Sequence, residues 1–232
     1  MLYSRLLTAF AAAALFGATQ AHAVSLTFSF TGGSSSLDGA NGNSRTFNSN
    51  PAGYTVTARA YNTANSDGTG AFENAYLGSF SSGLGVTSND DGNGFNDAHT
   101  VDNNGDDNLV GFYFNTLVDL SQIRLEGYGD TDIVVYLGTV APNFALTGFS
   151  YASLPAGFSF LGLFQNSETY NINSALAGNY LIIGAAPNSN ANDEFKIKSL
   201  TVDTAAVPEP ATMLLLGSGL AGAVRARRRA AK

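Results

Sequence analysis

Leu109-Val-Gly-Phe-Tyr-Phe114 (LVGFYF) is an uncharged run of six residues, bounded by Asp106-Asp107-Asn108 before it and Asn115-Thr116 after it. It is too short for an ordinary helix, and its aromatic and β-branched content suits a strand buried on both faces. Ile133 to Leu137 (IVVYL) repeats the pattern. Two central strands of this kind need covering layers above and below, and the rest of the chain supplies strands to make them.

Alternation marks those strands. Leu26, Phe28 and Phe30 alternate with Thr27 and Ser29, and Tyr54, Val56, Ala58 and Ala60 alternate with Thr55, Thr57, Arg59 and Tyr61. Ile123 and Leu125 alternate with Arg124 and Glu126 within Ser121 to Tyr128. A short strand at Arg45 to Phe47 is followed later by Thr169 to Asn173, Tyr180 to Ala185 and Phe195 to Asp203. In the last of these the apolar phase moves from Phe195 and Ile197 to Leu200 and Val202. One extra residue must absorb that slip, which predicts a β-bulge near Lys198-Ser199. No segment of ten residues in the body has a 3.6-residue period, and the chain holds 26 glycines. The expected fold is all-β, a jelly-roll-like β-sandwich, with long loops over Gly32 to Asn50, Ser88 to Asn108 and Pro187 to Asp193.

The two ends have a different character. Met1 to Ala23 reads as a signal peptide: Arg5 gives the positive start, Leu6 to Gly17 the apolar core, and Ala21-His22-Ala23 the small-x-small cleavage site. The body, 24–206, is then one domain, without cysteine and therefore without disulfides or thiol chemistry. Its five basic residues face seventeen acidic ones, leaving it near −12 where the whole chain is −7. Such a surface repels nucleic acid and anionic headgroups and attracts cations.

The tail, 207–232, reads VPEPATMLLLGSGLAGAVRARRRAAK. Pro208, Glu209 and Pro210 fix an extended entry, Ala211 to Val224 carries no charge, and Arg225, Arg227, Arg228 and Arg229 follow. As a helix, Ala211 to Val224 reaches about 21 Å at ~1.5 Å per residue. It would cross a ~30 Å hydrocarbon core only with snorkelling arginines or local thinning. The arginines would stay on the cytoplasmic side and leave the body outside. Gly217 to Gly222 fits G-x-G-x-x-G, but ten residues of remaining chain cannot build a dinucleotide unit, and small residues in a membrane helix explain it better.

In this order of elements the tail resembles the PEP-CTERM sorting signal of bacterial surface proteins. The resemblance implies an inner-membrane stage, processing by exosortase and an origin in Gram-negative bacteria that make extracellular polysaccharide. A second resemblance lies in the body, where Gly83 to Val86 (GLGV), His99 to Asn103 (HTVDN) and the following LVGFYF are similar to a segment of exosortase-dependent surface proteins. It implies no catalytic role.

Chemistry inside the body centres on Gly83 to Asn108. Asp90, Asp91, Asp97, Asp102, Asp106 and Asp107 fall within eighteen positions, with Asn104 among them. Clustered carboxylate and amide oxygens suit calcium, which takes six to eight oxygens at about 2.3–2.6 Å. Asp102, Asn104 and Asp106 alternate as in a calcium loop, but Asp107 and Tyr113 stand where an EF-hand needs Gly and Glu, so this is not an EF-hand. A solvated acidic loop is the alternative. His99, the only histidine after the signal peptide, cannot build a zinc site of the usual kind and is expected to hydrogen-bond Asp102 or a loop carbonyl. The expected function is a non-enzymatic exported surface or matrix protein, stabilised by calcium. The alternatives are a carbohydrate-binding module for extracellular polysaccharide, with Tyr61, Tyr76, Tyr128 or Tyr151 stacking on sugar, and a polysaccharide hydrolase using Glu126 with Asp130 and Asp132.

Overall fold

The structure is a computed structural model that describes residues 23–32, 42–65, 68–88, 99–187 and 193–205, together with the single positions 219, 223 and 227. Among the described residues the regular elements of the body are all strands apart from one 3₁₀ turn at Tyr151–Ser153. In chain order the strands are β1 Ser25–Ser29, β2 Ser44–Asn50, β3 Thr55–Thr63, β4 Phe72–Asn74, β5 Tyr76–Phe80, β6 Gly83–Thr87 and β7 Val101–Asp102. They continue with β8 Asn108–Gly127, β9 Ile133–Gly138, β10 Ser159–Phe164, β11 Thr169–Asn171, β12 Ala177–Ala185 and β13 Glu194–Thr204. Ser25–Ala205 forms one compact unit.

The thirteen strands make one sheet, ten of them in the order β10-β9-β12-β8-β3-β2-β1-β13-β6-β5, with β11 beside β8, β4 beside β3 and β7 beside β13. The sheet closes on itself through β8. The first part of β8 pairs with β3, from Asn62↔Asn108 to Val56↔Phe114, and with β12. Its second part pairs with β13, from Thr204↔Val118 to Phe195↔Gly127, and with β11. Leu109 to Phe114 and Ser121 to Tyr128, expected as two strands, are therefore one strand of 20 residues that passes from one layer to the other. The layers are sandwich-like but continuous.

The main core fills the space between the layers. Phe28, Phe30, Val56, Ala58, Phe112, Leu181, Phe195 and Leu200 all lie in it, almost wholly shielded from solvent. Phe30 stacks on Phe112 at 5.3 Å, and Phe28 meets Phe114 edge-on at 5.6 Å. A second, smaller core covers the outer face of β3, β8 and β12, where Tyr61, Leu109, Tyr180 and Ile182 pack under Leu146, Phe144 and Phe158. Two cores on opposite faces explain why LVGFYF carries no alternation. The expected bulge is present: the β13 register slips between Ile197 and Ser199, and again between Thr201 and Val202.

The signal-peptide residues before Ala23 lie outside the described residues. So does most of the tail, in which Gly219, Ala223 and Arg227 are described as helical and exposed. Among the described residues no helix is long and apolar enough to cross a membrane.

Candidate metal centre

The β8–β9 connection and the residue just before β13 are joined by a parallel bridge between Asp130 and Asp193. They bring together Asp130, Asp132 and Asp193, each with a carboxylate oxygen within 4.8 Å of the others. Among the described residues this is the only such group of three metal-binding side chains. Asp132 and Asp193 are buried, and Asp130 is half-buried.

Each carboxylate is held in place. Asp132 accepts hydrogen bonds from Gln165 Nε2 and the Asn166 amide, both at 2.9 Å. Asp193 accepts from Asn103 Nδ2 at 2.7 Å, and its own amide donates back to Asn103 Oδ1 at 3.0 Å. Asp130 accepts from the Thr131 amide at 2.7 Å, while its carbonyl receives the Glu194 amide at 2.8 Å. None of these donors carries a charge. Two carboxylates at this separation repel by about 3 kcal/mol at an effective dielectric of about 20, and the group contains three such pairs. A divalent cation turns that repulsion into binding energy, and oxygen-only ligands suit calcium.

The residues singled out in the sequence fall elsewhere. Asp90, Asp91 and Asp97 lie outside the described residues, as do Pro208, Glu209 and Pro210. Asp102 is buried, and its carboxylate takes Thr100 Oγ1 and the Asn104 amide, both at 3.1 Å. Asn104 itself is exposed. Asp106 is joined to β3 instead, receiving Asn62 Nδ2 at 3.1 Å. Asp107 is buried where its backbone pairs with Thr63. Asp102, Asp106 and Asp107 thus do not form one group of converging oxygens. Asn103, which sequence reasoning passed over, links Asp102 to the Asp193 site. The available signal was the Asp-x-Asp spacing of Asp130 and Asp132 just before a strand, with Asp193 just before another.

His99 is held by side chains of the neighbouring strands β5 and β6. Its Nδ1 lies 3.1 Å from Thr87 Oγ1, and its ring stacks on Phe80 at 5.4 Å. Glu126 is ion-paired with Lys198. Beside Asp130 lies a shallow open cleft of about 410 Å³ lined by Tyr128, Asp130, Thr131, Asn166, Ser167 and Glu168. Tyr128 is 53% exposed, with the Lys196 ammonium 4.9 Å from its ring centre.

Comparison with known families adds the tail. The family model described as the PEP-CTERM protein-sorting motif matches residues 206–229. The chain carries a PEP-CTERM sorting tail. That tail marks an exported protein, processed by exosortase, and the match takes in Pro208, Glu209, Pro210, the apolar stretch and the arginines. Among curated proteins none matches the chain. The PEP-CTERM match begins where the body ends, so what the body does must be argued from its own residues.

Proposed function

We propose that this is a non-enzymatic surface or matrix protein of a Gram-negative bacterium, delivered by its PEP-CTERM tail and stabilised outside the cell by calcium. The observation that supports it is the group of Asp130, Asp132 and Asp193, two of them buried, on segments distant in sequence that precede β9 and β13. An ion there fastens β9 and β13 at their starts, replacing the work a disulfide does in other exported proteins. Two features favour a structural over a catalytic role: Glu126 is tied to Lys198, and His99 is tied to Thr87 and Phe80.

The test is thermal unfolding of the exported protein in chelator and in millimolar calcium. With extracellular sites typically at a Kd of about 10⁻⁴ M, one millimolar calcium adds about 1.4 kcal/mol, or about 3–6 °C in Tm. Asp132→Asn and Asp193→Asn should shrink that gain, whereas Glu73→Gln, at an exposed position of β4, should not. Equal melting in chelator and calcium would sink the proposal.

A second reading, a module that binds extracellular polysaccharide, is favoured by the polar cleft and the exposed face of Tyr128. Aromatic stacking plus carboxylate and amide groups is the chemistry that recognises a sugar ring. Tyr128→Ala should abolish retention on the host's polysaccharide without lowering Tm by more than about 0.5 kcal/mol of equivalent stability. Retention that survives the change would remove this reading.

A further inference from the structure

Asn62 on β3 and Asn108 on β8 face each other directly in the sheet, each 2% exposed. Both carboxamides converge on Asp106. Asn62 Nδ2 donates to Asp106 Oδ2 at 3.1 Å and to the Thr63 carbonyl at 3.0 Å. Asn108 Nδ2 donates to the Asp106 carbonyl at 2.9 Å and approaches Ser88 Oγ at 3.5 Å. These partners fix the amide orientation, because flipping either side chain would turn an oxygen against another acceptor. The consequence is that both Oδ1 atoms are buried without a hydrogen-bond partner among the described residues. Two orphaned carbonyl oxygens on opposed strands are uncommon, since a buried acceptor left unpaired costs about 1–3 kcal/mol.

The two oxygens require either a donor or a cation. Near them stand the half-buried Asp106 carboxylate and the buried Ser88 hydroxyl, oxygens of the kind a hard cation takes. We infer that Asn62, Asn108, Asp106 and Ser88 form a second cation site, of a kind that takes calcium through amide, carboxylate and hydroxyl oxygens, with water completing the shell. It is built on different strands from the Asp130, Asp132 and Asp193 group and does not depend on that group binding anything. Its role is to seal the end of the β3–β8 pair where the acidic connection leaves the sheet. A buried water donating to both oxygens is the competing occupant.

Calorimetric titration of the full chain with calcium alone, joined to melting curves, decides between them. Wild type should bind two ions. Asn108→Asp replaces one amide by a carboxylate of the same shape. At a cation site it raises calcium affinity at least tenfold and enlarges the calcium-dependent gain in Tm, while lowering Tm in chelator. The double variant Asn62→Leu, Asn108→Leu should bind one ion fewer. Asp193→Asn, which acts on the other group, should leave the Asn108→Asp gain intact. One ion in wild type, lost with the leucines and kept in Asp193→Asn, would support this site while removing the other. A stoichiometry untouched by the leucines, or an Asn108→Asp protein with no added calcium response, would overturn it and leave water as the occupant. Should the leucine variant fail to fold, Asn108→Asp decides alone.

Discussion

Replacing Gly85 by alanine is expected to lower the melting temperature by about 6–12 °C, the equivalent of about 3 kcal/mol. Gly85 is buried in β6, and a Cβ built on it would sit inside the carbonyl group of His99. The obstacle is backbone, so no rotamer change relieves it. The His99 segment cannot easily retreat either, because the Val86 amide donates to the Thr100 carbonyl at 3.2 Å and Val101 pairs with Phe195 of β13. Its neighbour Gly83 is under a similar constraint, with φ at +133° and a Cβ position 2.6 Å from the Ile197 carbonyl oxygen. Gly53→Ala provides the comparison. Its φ of +119° imposes strain of about 1–2 kcal/mol, but nothing lies within 4 Å of the added methyl. Thermal unfolding of the two variants should rank Gly85→Ala as clearly the worse. Equal or smaller loss at Gly85 would mean that His99-Thr100 is not seated against β6. The GLGV and HTVDN stretches, separated in sequence by the acidic loop, thus belong together for reasons of packing rather than chemistry.

The same contact shows what the sequence could and could not disclose. Strands with alternation, such as β1, β3 and β13, were legible because one face enters the main core and the other does not. The phase slip in β13 announced its bulge for the same reason. Glycine hid the hairpin of β5 and β6, since Gly83 and Gly85 suggest a loop until their neighbours' backbone is seen pressing on them. The middle of β8 was hidden by exposure. Asn115 and Leu117 face solvent as the strand crosses between layers, and that breaks the apolar pattern that would have joined its two halves. Strand β10 was missed because it lies at the end of the sheet order with Phe160 and Leu163 57% and 51% exposed. For the candidate sites the limit is of another kind. Composition drew attention to the crowded aspartates of one loop. Asp193 comes some sixty residues after Asp130, and only the bridge between their connections places them together. Asn62 meets Asn108 only through strand register, which no local pattern encodes.

The second large effect is expected at alkaline pH, where the body should unfold cooperatively above about pH 10. Tyr180 is almost wholly buried, with its hydroxyl 3.5 Å from that of Tyr61. Burial, then the charge and hydrogen bond of Tyr61, hold its pKa well above the ordinary phenol value, against a smaller opposing effect of Arg59. Tyr151 is raised well above that value too, first by burial and then by the nearby charges of Asp107 and Tyr136. Its hydroxyl is buried without a hydrogen-bond partner among the described residues. In the unfolded chain both phenols ionise near pH 10. Above that pH the unfolded state releases protons that the native state still holds, so stability falls as pH rises. The contribution is therefore complete below about pH 10 and is lost on the way up to the raised folded values, at about 1.4 kcal/mol per pH unit for each tyrosine. Two such groups would remove most of an ordinary domain's margin of about 5–15 kcal/mol within a few units. Denaturant midpoints measured between about pH 8 and pH 12, with phenolate absorbance followed alongside, test it. Tyr180→Phe should cost about 1 kcal/mol below pH 10, through loss of the Tyr61 contact, yet flatten the alkaline decline. The double variant Tyr151→Phe, Tyr180→Phe should flatten it further. Phenolate appearing steadily through pH 10 for every tyrosine, with the β signal intact, would show that these hydroxyls reach solvent and that the second core over β3, β8 and β12 is not closed.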